Sequence, residues 1–249
     1  MFIPTISGAP FIKVSDAKLD FIATLFLGVS GKQAKDPSDF TPEMFKKWGH
    51  YIGQLQEKSR LFQSTVKDFN RKSWSQDSLY LMVEDEIQTE VGYIFEVFTE
   101  LKKKLLYLEK DPLSYGLIHA DLHHGNFFLD QNTNLTAIDF DDACISWYAY
   151  DLAVAEFSLD HFFFDQNIHL GFDYKPIFYG GFLSAKNDSS RSVLKSVPLF
   201  LLYRSIMMNL WCKKRIREEK DCAAIRRWCS SCRDWTQTKI LETSKKIMV

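Results

Sequence analysis

The run His119-Ala-Asp-Leu-His-His-Gly-Asn126, with Leu135-Thr-Ala-Ile-Asp-Phe-Asp-Asp142 behind it, decides how this chain is read. It sets Asp121 five residues before Asn126, and Asp139 thirteen residues after Asn126. Transfer of a phosphoryl group to a hydroxyl asks a protein mainly for positioning and charge. One carboxylate orients the acceptor oxygen and takes its proton. A carboxamide oxygen and a second carboxylate hold Mg²⁺ against the nucleotide phosphates. Asp121, Asn126 and Asp139 supply those groups in that order, and the D-x-x-x-x-N spacing is a phosphoryl-transfer pattern.

The flanks agree. Tyr115-Gly-Leu-Ile-His119 is a short apolar run entering a polar loop. Asn126-Phe-Phe-Leu-Asp130 and Leu135-Thr-Ala-Ile-Asp139 read as two strands joined by the turn Gln131-Asn-Thr-Asn134. Asn126 then enters the first strand of a hairpin and Asp139 ends the second, so both face one ion. Their oxygens suit a hard cation such as Mg²⁺.

Three segments carry a family resemblance: Gly116-Leu-Ile-His-Ala-Asp-Leu-His-His-Gly-Asn126, Ala137-Ile-Asp-Phe-Asp-Asp-Ala143 and Tyr150-Asp-Leu-Ala153. The chain resembles the aminoglycoside phosphotransferase and choline kinase group, which shares the protein-kinase-like fold. Within that group it is similar to type II homoserine kinases and stress-response kinases of bacteria. A weaker likeness runs from about Pro10 to about Trp211. The resemblance implies ATP and Mg²⁺ as cofactors, Asp121 as catalytic base, and Asn126 and Asp139 as metal ligands. It implies that His119 buttresses the catalytic loop and that Asp151 ties the following helix to it. It places a hinge at about Phe26–Gly31, where Phe26, Leu27, Gly28 and Val29 meet the adenine through backbone groups. The fold class implied is α+β: a helical C-terminal lobe with a catalytic β-hairpin, and a remnant of the N-terminal sheet. Residues 1–31 would be that remnant with the hinge, and residues 32–249 the helical lobe.

Several residues admit two readings. His119, Asp121, His123 and His124 crowd imidazoles around a carboxylate in the manner of a metal cluster. That reading leaves Asn126 and Asp139 unexplained, so His123 and His124 are better taken as loop residues near the acceptor. Asp141 and Asp142 are either an exposed acidic turn or carboxylates that assist a second metal or attract a cationic acceptor. Asp151 is read as a structural hydrogen-bonding or capping residue. Phe157 and Phe162-Phe-Phe164 are read as core, with the wall of an acceptor pocket as the rival. Trp228-Cys-Ser-Ser-Cys232 imitates a redox dithiol but sits inside a helical pattern, so its thiols are read as structural.

The chain has 249 residues, 46% hydrophobic and 15% aromatic, with 21 Phe. That fills a sizeable core and excludes a disordered chain. A formal net charge of −1 gives no bias toward nucleic acid or acidic membranes. The apolar runs 21–29 and 197–203 are too short to span a bilayer, and the start lacks a signal-peptide pattern. The expectation is a cytoplasmic protein with a small-molecule hydroxyl acceptor and no nucleic-acid or membrane partner.

Along the chain, Phe11–Val14 and Leu19–Val29 read as strands. Thr41-Pro42-Glu43 starts a helix with Met44, Trp48, Ile52 and Leu55 on one face. Gly49 and Gly53 mark a close helix contact. A second long helix is expected from about Asp85 to Glu109, then helices over 150–164, from about Ile177, over 190–220 and over 221–246. The chain has no G-x-G-x-x-G, and Lys13 is read as an ordinary strand lysine with no partner helix behind it. A phosphate-clamping lobe is therefore expected to be missing. The expected reasons, in order, are a lobe encoded upstream, a degenerate remnant, or a reduced lobe that works another way. The function expected is transfer of the γ-phosphoryl group of ATP to a hydroxyl of a small, amine-bearing molecule. The alternatives are a Ser/Thr protein kinase of the same fold and a non-catalytic binding module.

Overall fold

Thr41 opens the first long helix as its sequence demands. Its hydroxyl accepts the Met44 N–H at 3.2 Å, Pro42 stands at the first helical position, and Glu43 faces the positive end of the dipole. The helix, α1 (Pro42–Thr65), buries Met44, Phe45, Trp48 and Ile52. This is a computed structural model, and it describes residues 2–15, 20–66, 70–90, 92–186, 191–218 and 222–247.

The two glycines of α1 do what their spacing implies. A Cβ on Gly49 would strike the Phe178 carbonyl, and one on Gly53 would strike the Phe182 carbonyl and the Ala185 side chain. Both lie on the contact between α1 and α5 (Tyr174–Ser184), where Gly181 of α5 meets the Lys46 carbonyl as closely and the backbones touch without intervening side chains. Trp48 fills the space beside them, packed on Phe178 and Phe127.

Five further α-helices are described: α2 (Ser78–Glu86), α3 (Tyr93–Tyr107), α4 (Tyr148–Asp165), which touches α1, and α6 (Arg191–Glu218), against which α2, α3, α4 and α7 (Ala223–Ile247) pack. α4 is buried nearly all round, the mark of a central helix. α6 is long and apolar enough to cross a membrane by length and composition, but 67% of that window is buried inside the fold.

The single helix expected over 85–109 is two. α2 starts earlier, with Asp77 Oδ2 accepting the Leu79 and Tyr80 N–H groups, and ends at Glu86. A short 3₁₀ turn follows, and Gly92, at φ +84°, reorients the chain before α3. A run of apolar residues at helical spacing does not reveal a change of axis. Val91, part of the expected stripe, lies outside the described residues.

Among the described residues the strands form four two-stranded antiparallel ladders. β1 (Phe2–Ile3) pairs with β4 (Leu25–Phe26), and β2 (Ile12–Ser15) with β3 (Asp20–Ala23). β6 (Phe127–Leu129) and β7 (Leu135–Ala137) form the expected hairpin, its turn held by Asp130 Oδ1 on the Asn132 and Asn134 N–H groups at 2.8 Å. β5 (Tyr115–Ile118) pairs with β8 (Cys144–Trp147). β8 is absent from the sequence reading, because four residues of Cys-Ile-Ser-Trp carry too little periodicity to distinguish a strand from a loop. Its pairing matters: Ile118 lies opposite Cys144, which brings Asp142 close to the loop that begins at His119.

Candidate active site

Asp121 stands on a loop that leaves β5 and is fastened from below. Asp151, fully buried in the first turn of α4, accepts the Ala120 N–H at 2.9 Å and the His119 N–H at 3.4 Å. Burial holds its carboxyl above the usual carboxylate range, against the pull of His119 and those two N–H groups. Ala120 adopts φ +67°, a left-handed conformation that costs a non-glycine residue energy. Asp139 does the same at φ +62°. Strain of this kind persists only where surrounding contacts impose it, and it concentrates at functional sites.

His119 joins the two strained segments. Its Nε2 donates to the Ile138 carbonyl at 3.0 Å, and its Nδ1 accepts the Asp121 N–H at 3.4 Å. The Ile138 N–H bonds the Asn126 carbonyl at 2.9 Å, so Asp139 follows directly from a residue tied to both His119 and Asn126. Asn126 directs Nδ2 to the Asp121 carbonyl and to its Oδ2, at 2.9 and 3.2 Å. Among the described residues no hydrogen bond reaches the Asn126 side-chain oxygen Oδ1, which leaves that oxygen available for a cation. Asp121, Asn126 and the segment leading into Asp139 are thus held in one unit by side-chain and backbone bonds.

The metal-cluster reading of the histidines fails. Among the described residues no group of three or more His, Cys, Asp or Glu side chains is placed to hold a metal. The Nδ1 of His123 is taken by the Gly125 N–H at 2.9 Å. The His124 Nδ1 pairs with the Ser158 hydroxyl at 3.1 Å, and its ring lies on Phe162. Burial lowers the affinity of both for protons, that of His124 to about 4.

Sequence reading missed Arg204. This α6 residue places Nη2 2.7 Å from Asp121 Oδ1 and Nη1 3.3 Å from the Tyr150 hydroxyl, with its guanidinium over Phe157. No local signal marks it, since one arginine in a long helix is ordinary. Only the packing of α6 against α4 brings it to the loop.

Asp121, His123, His124, Asp142 and Arg204 line one cavity of about 710 Å³ between α2, α4, α6 and α7. Phe157 and Phe162 also line it, so both belong to the pocket wall that the sequence reading held as the rival to core, and Phe157 to the core as well. Asp142 is exposed, and partial desolvation together with Asp121 and Asp77 raises its pKa. Asp141 does not line this cavity. With Arg71 and Lys72 it lines a second one of about 380 Å³, which Asp142 lines too. Asn126 and Asp139 do not line the larger cavity, and neither do Phe26, Leu27, Gly28 and Val29. Phe26, Leu27 and Val29 are exposed, and the chain reaches the hairpin only beyond them. There Gly31, at φ +122°, crosses the Leu129 carbonyl where a Cβ would clash, and Lys32 exchanges two backbone bonds with Leu129.

The cysteines take no part. Cys229 and Cys232 lie within α7 rather than after a strand, and both are buried with Cys212 beside Trp235. Hydrogen bonding to Cys232, then burial, pushes the Cys212 thiol far up. Such thiols are poor nucleophiles.

Residues 14–172 match the phosphotransferase enzyme family, APH. The chain belongs to this family. Amicoumacin kinase of Bacillus subtilis (strain 168) is 28% identical over 153 residues, covering 61% of this chain and 45% of that protein. The aligned region therefore spans less than half of that curated relative. Among solved structures, amicoumacin kinase in complex with AMP-PNP, Ca²⁺ and Ami superposes with a TM-score of 0.73 at 22% identity, over 96% of this chain and 71% of that one. A microcompartment-associated aminopropanol kinase gives 0.67 at 19% identity, over 98% and 76%. A choline/ethanolamine kinase family protein from Mesorhizobium loti gives 0.55 at 13% identity, over 94% and 75%. These likenesses establish the protein-kinase-like fold.

Proposed function

We propose that this chain carries the acceptor and metal side of an ATP-dependent phosphotransferase acting on a hydroxyl of a small molecule. The observation that supports it most is the single hydrogen-bonded unit made by Asp121, Asn126 and the segment leading into Asp139. Asp121 orients the acceptor hydroxyl in the 710 Å³ cavity and takes its proton as the phosphoryl group leaves. Asn126 and Asp139 hold a divalent cation, and their hard oxygens favour Mg²⁺. When bound, the cation neutralises charge on the nucleotide phosphates. His119 and Asp151 fix the loop, and Arg204 fixes the Asp121 carboxylate. Family membership supports the reaction class, and the amicoumacin kinase complex with AMP-PNP and Ca²⁺ supports a nucleotide with a divalent cation.

An amine on the acceptor is supported by Asp142, an acidic group on the cavity wall near Asp121, and by the aminopropanol and choline/ethanolamine kinases among the structural neighbours. These relatives are kinases of small molecules, and a protein acceptor is not favoured. We assign residues 32–249 to the catalytic body and residues 1–31 to the hinge side, with Phe26–Val29 contacting adenine. Asp121→Ala is expected to lower phosphate transfer from ATP by ~10²–10⁴-fold while leaving Mg·ATP affinity within twofold. Equal turnover in Asp121→Ala and wild type would remove Asp121 from the mechanism.

A further inference from the structure

We propose that the acceptor cavity is built for a hydroxyl compound with a planar apolar body, such as an aromatic ring, and discriminates against a bare amino alcohol. The inference rests on the acceptor-site reading above and narrows its substrate class.

The cavity has two unlike ends. Asp121, Arg204 and Asp142 make the inner one. The outer one is walled by Met208, Trp211 and Trp228 of α6 and α7, with His161, Asp165 and Gln166 at the end of α4 beside them. Trp211 and Trp228 meet edge to face, with ring centroids 6.1 Å apart. Trp228 is 38% exposed and leaves an open apolar face on the cavity wall. Large apolar faces left open in a pocket gain free energy when a ligand covers them, and aromatic walls prefer flat partners. At about 710 Å³ the space lies within the ~300–1,000 Å³ range of pockets that enclose drug-sized ligands.

Charge at the inner end points the same way. The Arg204 guanidinium sits 2.7 Å from Asp121 and offsets its charge. Asp142 is the acidic wall group left to meet an amine beside Asp121. A short amino alcohol would gain one ionic contact there and leave the tryptophan walls wet. A hydroxyl compound with an aromatic body would satisfy both ends.

Two probes separate these cases: 2-amino-3-phenylpropan-1-ol and 2-aminopropan-1-ol, which share the amino alcohol and differ by one phenyl ring. Binding to the full chain is read by tryptophan fluorescence and by thermal shift, and transfer by ADP release. The phenyl compound is expected to bind at least tenfold more tightly. In Trp228→Ala and Trp211→Ala that gap should shrink to threefold or less, with binding of the methyl compound unchanged. Trp228→Leu, which keeps an apolar side chain at an exposed position, serves as the variant least prone to misfold and should narrow the gap partly. Equal binding of the two probes to wild type overturns the inference, as does a gap that survives both alanine variants. Phosphate transfer with equal kcat/KM for the two probes keeps the kinase reading and overturns this one. A binding gap that depends on the tryptophans, with no transfer to either probe, supports the pocket and overturns the kinase reading.

Discussion

Residues 2–31 and residues 32–247 use similar apolar side chains to different ends. β2 and β3 pair through four residues each, yet every residue of both strands is exposed, Ile22 at 69%. β5, also four residues long, alternates half-buried and buried positions, and Ile118 is almost wholly covered. The ladders are alike; the difference is a second layer. α1 and α4 lie against β5, whereas no described element packs on β2 and β3 beyond each other. A two-stranded ribbon without a covering layer contributes little stability in water. The site residues follow that division. Asp121, Asn126, Asp139 and Arg204 all stand in the layered body.

Core truncation tests that contrast most severely. Trp48→Ala in α1 removes a fully buried ring and should cost ~3–5 kcal/mol in chemical denaturation. Ile22→Ala in the ribbon should stay within ~0.5 kcal/mol, as for other exposed positions. Comparable losses would mean that the ribbon is covered in solution.

Arg204→Met is the next largest. It frees one Asp121 oxygen from its charged partner without touching the nucleotide side. kcat should fall more than ~10-fold, the KM for Mg·ATP should stay put, and Arg204→Lys should recover part of the loss. A change confined to the KM for ATP would show that Arg204 acts elsewhere.

Lys186 gives the smallest effect, and it depends on pH. The ammonium is buried against Tyr148, 3.8 Å from Glu57, and burial lowers its pKa to about 8. The unfolded lysine, with an ordinary value near 10.5, then binds more protons than the native one between those two values. Stability from this group is therefore full above about 10.5 and is lost as pH falls through about 8. Lys186→Met should be more stable than wild type at pH 7, with the advantage shrinking between pH 8 and 10. A constant difference across that range would refute the assignment.

Much of this molecule is legible in its sequence because the informative features are local. The Thr41-Pro42 cap, the Gly49–Gly53 spacing and the Asn-rich turn each determine their own surroundings. The same holds for Asp121 and Asn126, five residues apart on one loop. What stays hidden is set by tertiary packing. β8 becomes a strand through its pairing with β5, Gly92 splits a continuous apolar stripe, and Arg204 reaches Asp121 from 83 residues away. Asp141 and Asp142 show the same: both line the smaller cavity, and only Asp142 also reaches the larger one beside Asp121.

The central claim is that the body carries a working metal–nucleotide site. The direct measurement is a thermal-shift titration of the 249-residue protein with Mg·ATP beside Asp139→Ala. A ligand that binds only the native state raises stability by RT ln(1 + [L]/Kd). The account predicts a saturable rise in Tm for wild type that is absent in Asp139→Ala, with both proteins melting cooperatively. No rise in wild type at millimolar Mg·ATP, or an equal rise in both proteins, would contradict it.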